Sequence, residues 1–366
     1  MEHPENDDLY RGLKVNKGVA DVPTVNPYLK RRVQRKEYTP AEFVEGILKG
    51  NITILSQAVT LVESSKYEHQ QVAQEIIEKC LPHAGKSVRI GITGVPGAGK
   101  STSIDSFGMH LIGEGRKLAV LAIDPSSERS KGSILGDKTR MEALSREKNA
   151  FIRPSPSAGS LGGVARKTRE TIVLCEAAGF DTVFVETVGV GQSETAVHSM
   201  VDFFLLIQLA GTGDELQGIK RGIMEMADGI IINKADGDNL DKAKLAAAQF
   251  RNALHLFPAP ESGWFPKVLT YSGYYNLGIK EIWDMVGEYM EFTQKNGFFN
   301  HKRNEQAKYW MYESINDTLR ETFYHNPAVE NMLARTEQQV LNNEISSFVA
   351  AKRMMDLFLE NLSAKK

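Results

Sequence analysis

The first part of the chain repeats apolar positions at helical intervals between residues 40 and 80. Thr39 followed by Pro40 is typical of a helix start, with a hydroxyl cap and a proline in the first turn. The three predicted helices cover Phe43–Leu48, Ile52–Val62 and His69–Cys80. This pattern predicts a helical extension over residues 1–86.

The pattern changes at Ser87 to short, β-branched apolar runs separated by helical stretches. The six runs are Val88–Thr93, Leu118–Ile123, Thr182–Glu186, Phe203–Leu209, Gly229–Asn233 and Lys267–Tyr271. This alternation indicates βαβ units and a mostly parallel sheet that is covered on both faces. We therefore predict an α/β core over residues 87–295, with its ligands at the carboxyl ends of the strands.

Helical spacing returns beyond Asn300, with a break at Asn326-Pro327 and a last helix predicted over Ile345–Leu362. Apolar positions include Trp310 and Tyr312, which we interpret as helix-packing or interface residues. Residues 296–366 are thus predicted to form a C-terminal helical arm.

Composition narrows the class of protein without pointing to a partner. The chain has 366 residues, 42% of them hydrophobic and 25% charged, as in ordinary globular proteins. Because 44 Lys and Arg nearly balance 46 Asp and Glu, we expect neither nucleic acid nor a membrane as a partner. No CxxC connects Cys80 and Cys175, and residues 1–8 contain no apolar segment, so we expect a cytoplasmic protein.

A phosphate-binding loop follows the first apolar run. Its residues are Gly94, Val95, Pro96, Gly97, Ala98, Gly99, Lys100 and Ser101, followed by Thr102. The glycines allow backbone N–H groups to point at phosphates, Lys100 neutralises the β- and γ-phosphates, and the Ser101 hydroxyl is a magnesium ligand. The alternative, a glycine-rich turn, is disfavoured because a strand precedes the motif and a helix follows it.

A base-reading element follows a later strand, at Asn233-Lys234-Ala235-Asp236. The Asp236 carboxylate can accept hydrogen bonds from N1–H and N2–H2 of guanine, a donor pair that adenine lacks. Lys234 is expected to cover the ring and Asn233 to brace the loop. Backbone N–H groups of Ser272, Gly273 and Tyr274, after the last strand, are expected to reach guanine O6.

Acidic residues at strand ends are candidate magnesium ligands. Asp124 and Glu186 each end an apolar run, and Asp137 lies between them along the chain. Mg²⁺ prefers hard oxygen ligands and keeps several waters, so each acid is interpreted as a direct or water-mediated ligand beside Ser101. A helix-capping role remains open for all three. Gly189 is predicted to direct its N–H at the γ-phosphate.

These motifs and the segments joining them resemble the MeaB/ArgK family of P-loop GTPases, in the SIMIBI class. The resemblance is dense over residues 90–290 and looser at the ends. Besides the loop at 94–102, the matching blocks are Asp124-Pro125-Ser126-Ser127, residues 133–141, 152–156 and 161–164, Glu186–Glu194 and Gly213–Lys220.

The resemblance implies a homodimeric G-protein chaperone of adenosylcobalamin-dependent methylmalonyl-CoA mutase or a related acyl-CoA mutase. Members hydrolyse GTP slowly alone and faster in the complex, gating cofactor delivery and protecting the mutase. Lys100, Glu186 and Lys220 are the implied catalytic residues, with Lys220 closing a switch that reports the nucleotide state. The resemblance also implies that the C-terminal arm dimerises. No DxHxxG pattern is present, so no direct cobalamin site is expected.

Two other classes stay open from sequence. A kinase or transport-associated ATPase would share the phosphate loop, but Asp236 argues against adenine. A nickel-insertion GTPase would be expected to carry a His-rich or Cys/His segment, whereas the eight histidines here are scattered. One departure from the resembled family is Ser272-Gly273, where many members have Ser-Ala.

Overall fold

The central feature is one parallel sheet. The computed structural model describes residues 38–123, 141–154, 161–187, 193–210 and 221–364, and the statements below concern these ranges. Seven strands of this part join in the order β3-β2-β4-β1-β5-β6-β7, and every pair is parallel. They are β1 Val88–Gly94, β2 Leu118–Ile123, β3 Ala150–Arg153, β4 Thr182–Thr187, β5 Phe203–Leu209, β6 Gly229–Asn233 and β7 Lys267–Thr270.

Strand β1 is the switch point of the sheet, where the order of strands changes direction. Strands β2 to β4 lie on one side of β1, and β5 to β7 lie on the other. In open parallel sheets, ligands bind outside the carboxyl ends of the strands at such a switch point. The predicted α/β class with a P-loop arrangement is confirmed, and the phosphate loop follows the strand at the switch.

Strand β3 was not predicted from sequence. It has four residues, Ala150–Arg153, and lies at the edge of the sheet beside β2. A run this short cannot establish a period of two, so its pairing depends on the tertiary structure.

Helices precede, cover and follow the sheet. They are α1 Pro40–Leu48, α2 Ile52–Glu63, α3 Tyr67–Cys80, α4 Lys100–Gly113, α5 Leu161–Ala177, α6 Ser193–His198, α7 Arg221–Met226, α8 Leu240–Leu254, α9 Ile279–Lys295, α10 Phe298–Tyr324, α11 Pro327–Leu341 and α12 Ser347–Ala364. None of these described helices is both long and apolar enough to cross a bilayer. The division at residues 86 and 295 stays a prediction.

Alternating strand residues fill two cores, because successive side chains of a strand point to opposite faces. On one face, Leu205 and Ile207 of β5 pack with Phe107 of α4 and Met285 of α9. On the other face, Leu206 lies in a cluster with residues of β6 and α8. Both faces are therefore apolar, which explains why the strands read as continuous hydrophobic runs.

An ion pair and a hydrogen bond hold the end of α2 against the edge of the sheet and a covering helix. Arg153, at the end of β3, donates from Nε to a carboxylate oxygen of Glu63 on α2 at 2.9 Å. Lys167 of α5 donates to the backbone carbonyl of Glu63 at 2.8 Å. The end of α2 is thus fixed against both the sheet and a covering helix.

Two aspartates at the amino ends of the strands, of which Asp202 is buried and Asp228 half-buried, bond to the neighbouring strand. Asp202, just before β5, accepts the backbone N–H of Arg89 at 2.9 Å. Asp228, just before β6, accepts the N–H of Phe204 at 2.9 Å. Each carboxylate therefore satisfies a backbone donor where the ladder begins.

Helix α10 is attached to this end of the sheet. Arg303 forms two bonds to the Asp202 carboxylate, at 2.8 and 2.7 Å. Lys302 donates to the Asp202 carbonyl at 2.7 Å and lies 3.4 Å from Asp228. Trp310, which is buried, donates from Nε1 to the Ser199 carbonyl at 2.9 Å. Helix α10 is therefore anchored at the amino end of the sheet through Lys302 and Arg303.

Candidate nucleotide site

The phosphate loop connects the central strand directly to a long helix. Strand β1 ends at Gly94 and α4 begins at Lys100, with Gly99 as its N-cap. The Lys100 ammonium donates to the Gly94 carbonyl at 2.8 Å, so its side chain folds back over the loop. A helix N-terminus directs backbone N–H groups and a positive dipole end at its ligand, which suits an anion.

Other loop residues differ in exposure. Pro96, Gly97 and Thr102 are exposed, Val95 is half-buried and Ala98 is buried.

Gly99 permits a close approach between the phosphate loop and the base-reading segment. Its φ is 87°, in the region that favours glycine. A Cβ at this position would lie 2.5 Å from Nδ2 of Asn233. Only glycine allows both this backbone conformation and this contact.

Asn233 connects three loops through one buried amide. Its Nδ2 donates to the Ala98 carbonyl at 2.8 Å. Its Oδ1 accepts the N–H of Lys234 at 2.7 Å and that of Gly273 at 3.1 Å. The phosphate loop and both base-reading loops are thereby held in one arrangement. The Gly273 N–H, predicted to face guanine O6, is directed here at Asn233.

The base-reading segment has a strained backbone and an oriented carboxylate. Lys234 has φ 59°, and its carbonyl accepts from Nδ2 of Asn239 at 2.7 Å. A non-glycine residue in this region costs energy and occurs preferentially at binding sites. Its side chain is exposed, whereas Asp236 is half-buried and accepts a hydrogen bond from the Ser272 hydroxyl.

The metal end of the site lies at the neighbouring strand. Glu186, near the end of β4, has one carboxylate oxygen 3.3 Å from the Ser101 hydroxyl, which donates to it. Next to Glu186 along the chain, the Thr187 hydroxyl donates to the Thr93 hydroxyl at 2.8 Å and so connects β4 to β1. Two hard oxygen donors at the phosphate loop fit Mg²⁺, whose other ligands are usually phosphate oxygens and waters.

The other predicted ligands and switch residues lie outside the described ranges. These are Asp124, Asp137, Gly189 and Lys220. In the described part of the chain, no cluster of three or more His, Cys, Asp or Glu is suited to hold a metal. Ser101 and Glu186 are therefore the part of the predicted metal site whose geometry is described.

One contact in this site was missed by sequence reasoning. The Tyr271 hydroxyl lies 2.6 Å from that of Ser106 on α4. From sequence, Tyr271 ended an apolar run and was interpreted as strand, and no motif marks Ser106. The only sign of this contact in the sequence was that a tyrosine directly precedes the predicted guanine-binding loop.

The parallel sheet, its phosphate loop at the switch point and the adjoining base-reading segment together define a P-loop guanine-nucleotide-binding protein. Residues 55–328 match the family described as "Methylmalonyl Co-A mutase-associated GTPase MeaB". The chain belongs to this family of GTPases.

Individual relatives agree with this assignment. A "Putative GTPase" of Caulobacter vibrioides is 50% identical over 312 residues, which cover 85% of this chain and 95% of the relative. The mouse "Methylmalonic aciduria type A homolog, mitochondrial" is 44% identical, covering 86% of this chain and 78% of its own. A crystal structure titled "LAO/AO transport system kinase" superposes with a TM-score of 0.69 at 38% identity, over 88% of this chain and 99% of that one.

Proposed function

We propose that this GTPase controls an adenosylcobalamin-dependent acyl-CoA mutase, in the first place methylmalonyl-CoA mutase, by coupling GTP hydrolysis to cofactor loading and to protection of the mutase. The observation that carries the nucleotide part is the Asn233 amide, which joins the phosphate loop to both base-reading loops. The family description carries the partner, since it names a mutase-associated GTPase.

The nucleotide is proposed to occupy the carboxyl end of the sheet. Residues 94–102 and Gly189 would serve the phosphates, and the 233–236 and 272–274 segments the base. Asp236 is the proposed discriminator, because its carboxylate is oriented by Ser272 and complements the donor pair of guanine. A site built around such a pair rejects adenine strongly, which disfavours the ATPase alternative.

Hydrolysis is proposed to proceed by in-line attack of water on the γ-phosphorus. The Lys100 ammonium would leave the Gly94 carbonyl, 2.8 Å away, to stabilise charge on the phosphate oxygens. Ser101, Asp124, Asp137 and Glu186 are the proposed magnesium ligands. When bound, Mg²⁺ would offset the negative charge of the phosphates.

Lys220 is proposed to act only in the complex. Partner binding would dock it at the phosphates, as an arginine supplied by a second protein does in other GTPases. Switch residues Gly213–Lys220 would thereby report the nucleotide state to the mutase.

The C-terminal helices are proposed to form a dimerisation arm. Several large apolar side chains of α10 to α12 are exposed, among them Tyr312, Leu319, Leu341 and Phe348. Exposed apolar surface on this scale is typical of protein interfaces. Sedimentation equilibrium should give twice the 40.6 kDa chain mass at micromolar concentration, and a monomer would contradict the arm.

A cytoplasmic location and cobalamin handling without a direct cobalamin site on this chain also belong to the proposal. Equilibrium dialysis of the isolated protein against adenosylcobalamin should show no retention. Retention at micromolar concentration would contradict that part.

The partner is tested by measuring phosphate release from GTP with and without purified methylmalonyl-CoA mutase. We expect a stable complex and faster hydrolysis than by the GTPase alone. Lys220→Ala should lose the stimulation and keep the basal rate. The matched control is Lys280→Ala, an exposed lysine on α9, which should keep both. Absence of both complex and stimulation with every candidate acyl-CoA mutase would refute the chaperone role and leave the GTPase.

A further inference from the structure

The guanine-side loop of this chain contains a glycine that its backbone does not require. Gly273 is absent from the residues of positive φ in the described part of the chain. A Cβ at this position would instead lie 3.0 Å from Oη of Tyr271, and 3.3 and 3.4 Å from two of its ring carbons. The limited space beside the Tyr271 ring, and not the backbone conformation, therefore explains why residue 273 is glycine.

Tyr271 is held at both its backbone and its side chain. Its N–H donates to the Ile232 carbonyl and its carbonyl accepts from Ala235, each at 2.9 Å. The side chain is 2% exposed and packs in the core that contains Phe107 of α4. Because interiors are close-packed, the ring has little room to yield to a larger neighbour at Gly273.

The Tyr271 hydroxyl reaches the helix that begins at the phosphate loop. It lies 2.6 Å from the hydroxyl of Ser106, six residues after Lys100 on α4. The two residues that follow Tyr271 form hydrogen bonds within the candidate base site. Ser272 donates to Asp236, and Gly273 donates to Asn233. Tyr271 thus lies between the phosphate-binding helix and the loop that orients the discriminating carboxylate.

We propose that Tyr271 is a positioning residue for guanine nucleotide. Its hydroxyl fixes the Ser272-Gly273 loop relative to the phosphate-binding helix through Ser106, and Gly273 is the complementary small residue that admits the ring. This inference rests on the proposed guanine site. It assigns to Tyr271 and Gly273 a shared role in nucleotide affinity, with no role in the chemical step.

The test is the steady-state hydrolysis of GTP by four full-length variants. Tyr271→Phe removes the hydroxyl and keeps the ring, so the KM for GTP should rise about fivefold while kcat stays unchanged. Ser106→Ala removes the other partner and should give the same change. Gly273→Ala crowds the ring and should raise KM about tenfold. In the double variant Tyr271→Phe with Gly273→Ala, the added cost of the alanine should fall to about threefold or less, because the closest contact is gone.

The matched control is Tyr289→Phe. Tyr289 is equally buried, and its hydroxyl lies 3.5 Å from the Lys302 ammonium at the amino end of the sheet. This variant should leave both KM and kcat unchanged, whatever it does to thermal stability. If Tyr271→Phe and Ser106→Ala behave like Tyr289→Phe, the positioning role is wrong and the GTPase stands. If the unmodified protein neither binds nor hydrolyses GTP, the proposed guanine site itself is overturned.

Discussion

The two ends of the parallel sheet use polar residues in opposite ways. At the amino end, Arg89 pairs with Glu176 and Arg303 with Asp202, and both carboxylates are almost fully buried. At the carboxyl end, the polar side chains of Lys100, Asn233 and Asp236 lie on or beside loops and are bonded mainly to backbone or hydroxyl groups. The carboxylates at the amino end are paired with arginines of the same chain, whereas the polar side chains at the carboxyl end lie at the candidate nucleotide site.

The difference has an energetic basis. A buried ion is expensive unless it is paired and hydrogen-bonded. Burial opposes ionisation of Glu176, but the two-pronged contact with Arg89 outweighs it and holds the pKa of the carboxyl below its usual range. The amino end is therefore expected to govern stability, and the carboxyl end to govern nucleotide binding and turnover.

The largest expected effect is a change of base preference at the carboxyl end. Asp236→Asn replaces an acceptor with a donor, so kcat/KM for GTP should fall by about 10⁴ because a polar pair is left mismatched. Xanthosine triphosphate has an acceptor where guanine has its N2 amine and should become the better substrate. Phosphate release with the two nucleotides measures the exchange. If Asp236→Asn still preferred GTP, Asp236 would not be the residue that recognises the base.

Lys100→Ala should lower kcat for GTP by about 10² to 10³, since it removes a charge that stabilises the transition state. The free energy of unfolding of the nucleotide-free protein should change by less than about 0.5 kcal/mol, as for other changes outside the core. Single-turnover hydrolysis and urea titration measure the two quantities. If Lys100→Ala kept the turnover of the wild type, the assignment of GTP hydrolysis to the carboxyl end of the sheet would be wrong.

Arg303→Ala tests the amino end. It leaves the Asp202 carboxylate buried without its guanidinium partner, so the free energy of unfolding should fall by about 3 kcal/mol. The KM for GTP should not change. The control is Arg146→Ala, an exposed arginine paired with Glu142, which should cost less than about 0.5 kcal/mol. If Arg303→Ala raised the KM for GTP strongly without loss of stability, the amino end would serve nucleotide binding and the proposed difference between the two ends would be wrong.

The smallest effect concerns pH. Burial, assisted by the Lys302 charge, lowers the pKa of His198 from 6.5 to about 4. The unfolded chain therefore binds a proton as pH falls below 6.5, while the folded chain binds it only near pH 4. Stability is fully present above pH 6.5 and is lost as pH falls toward 4.

The His198 contribution can be isolated by comparing variants. Between pH 6.5 and 4.5, the wild type should lose about 2 kcal/mol more stability than His198→Gln. Urea titrations at each pH measure this difference, and the exposed His255→Gln is the matched control. Parallel pH profiles for the wild type and His198→Gln would show that His198 is not buried in its neutral form.

The two ends also differ in how far sequence predicts them. The apolar runs and the loop motifs are local patterns, so six of the described strands were predictable, and the candidate nucleotide-binding segments could be located after their strands. The pairs at the amino end join Arg89 to Glu176 and Asp202 to Arg303, across long stretches of chain. Such pairs have no fixed spacing, because only the folded sheet brings them together.

Within the candidate site, the same limit applies to its supporting contacts. Asn233 was expected to brace its loop, but its bond to the Ala98 carbonyl depends on the packing of β6 beside the phosphate loop. The sequence showed that Gly273 departs from the Ser-Ala of many family members, but it gave no reason for the glycine. The nearby Tyr271 ring, held by Ser106, provides that cause only in three dimensions.

The most direct test of the central claim is displacement of a fluorescent GDP analogue from the full-length protein in the presence of Mg²⁺. Unlabelled GTP should displace the analogue at a concentration at least about 100-fold lower than ATP, because the Asp236 carboxylate is proposed to accept from the donor pair that guanine has and adenine lacks. Equal displacement by GTP and ATP would contradict a guanine-reading site at the carboxyl end of this sheet.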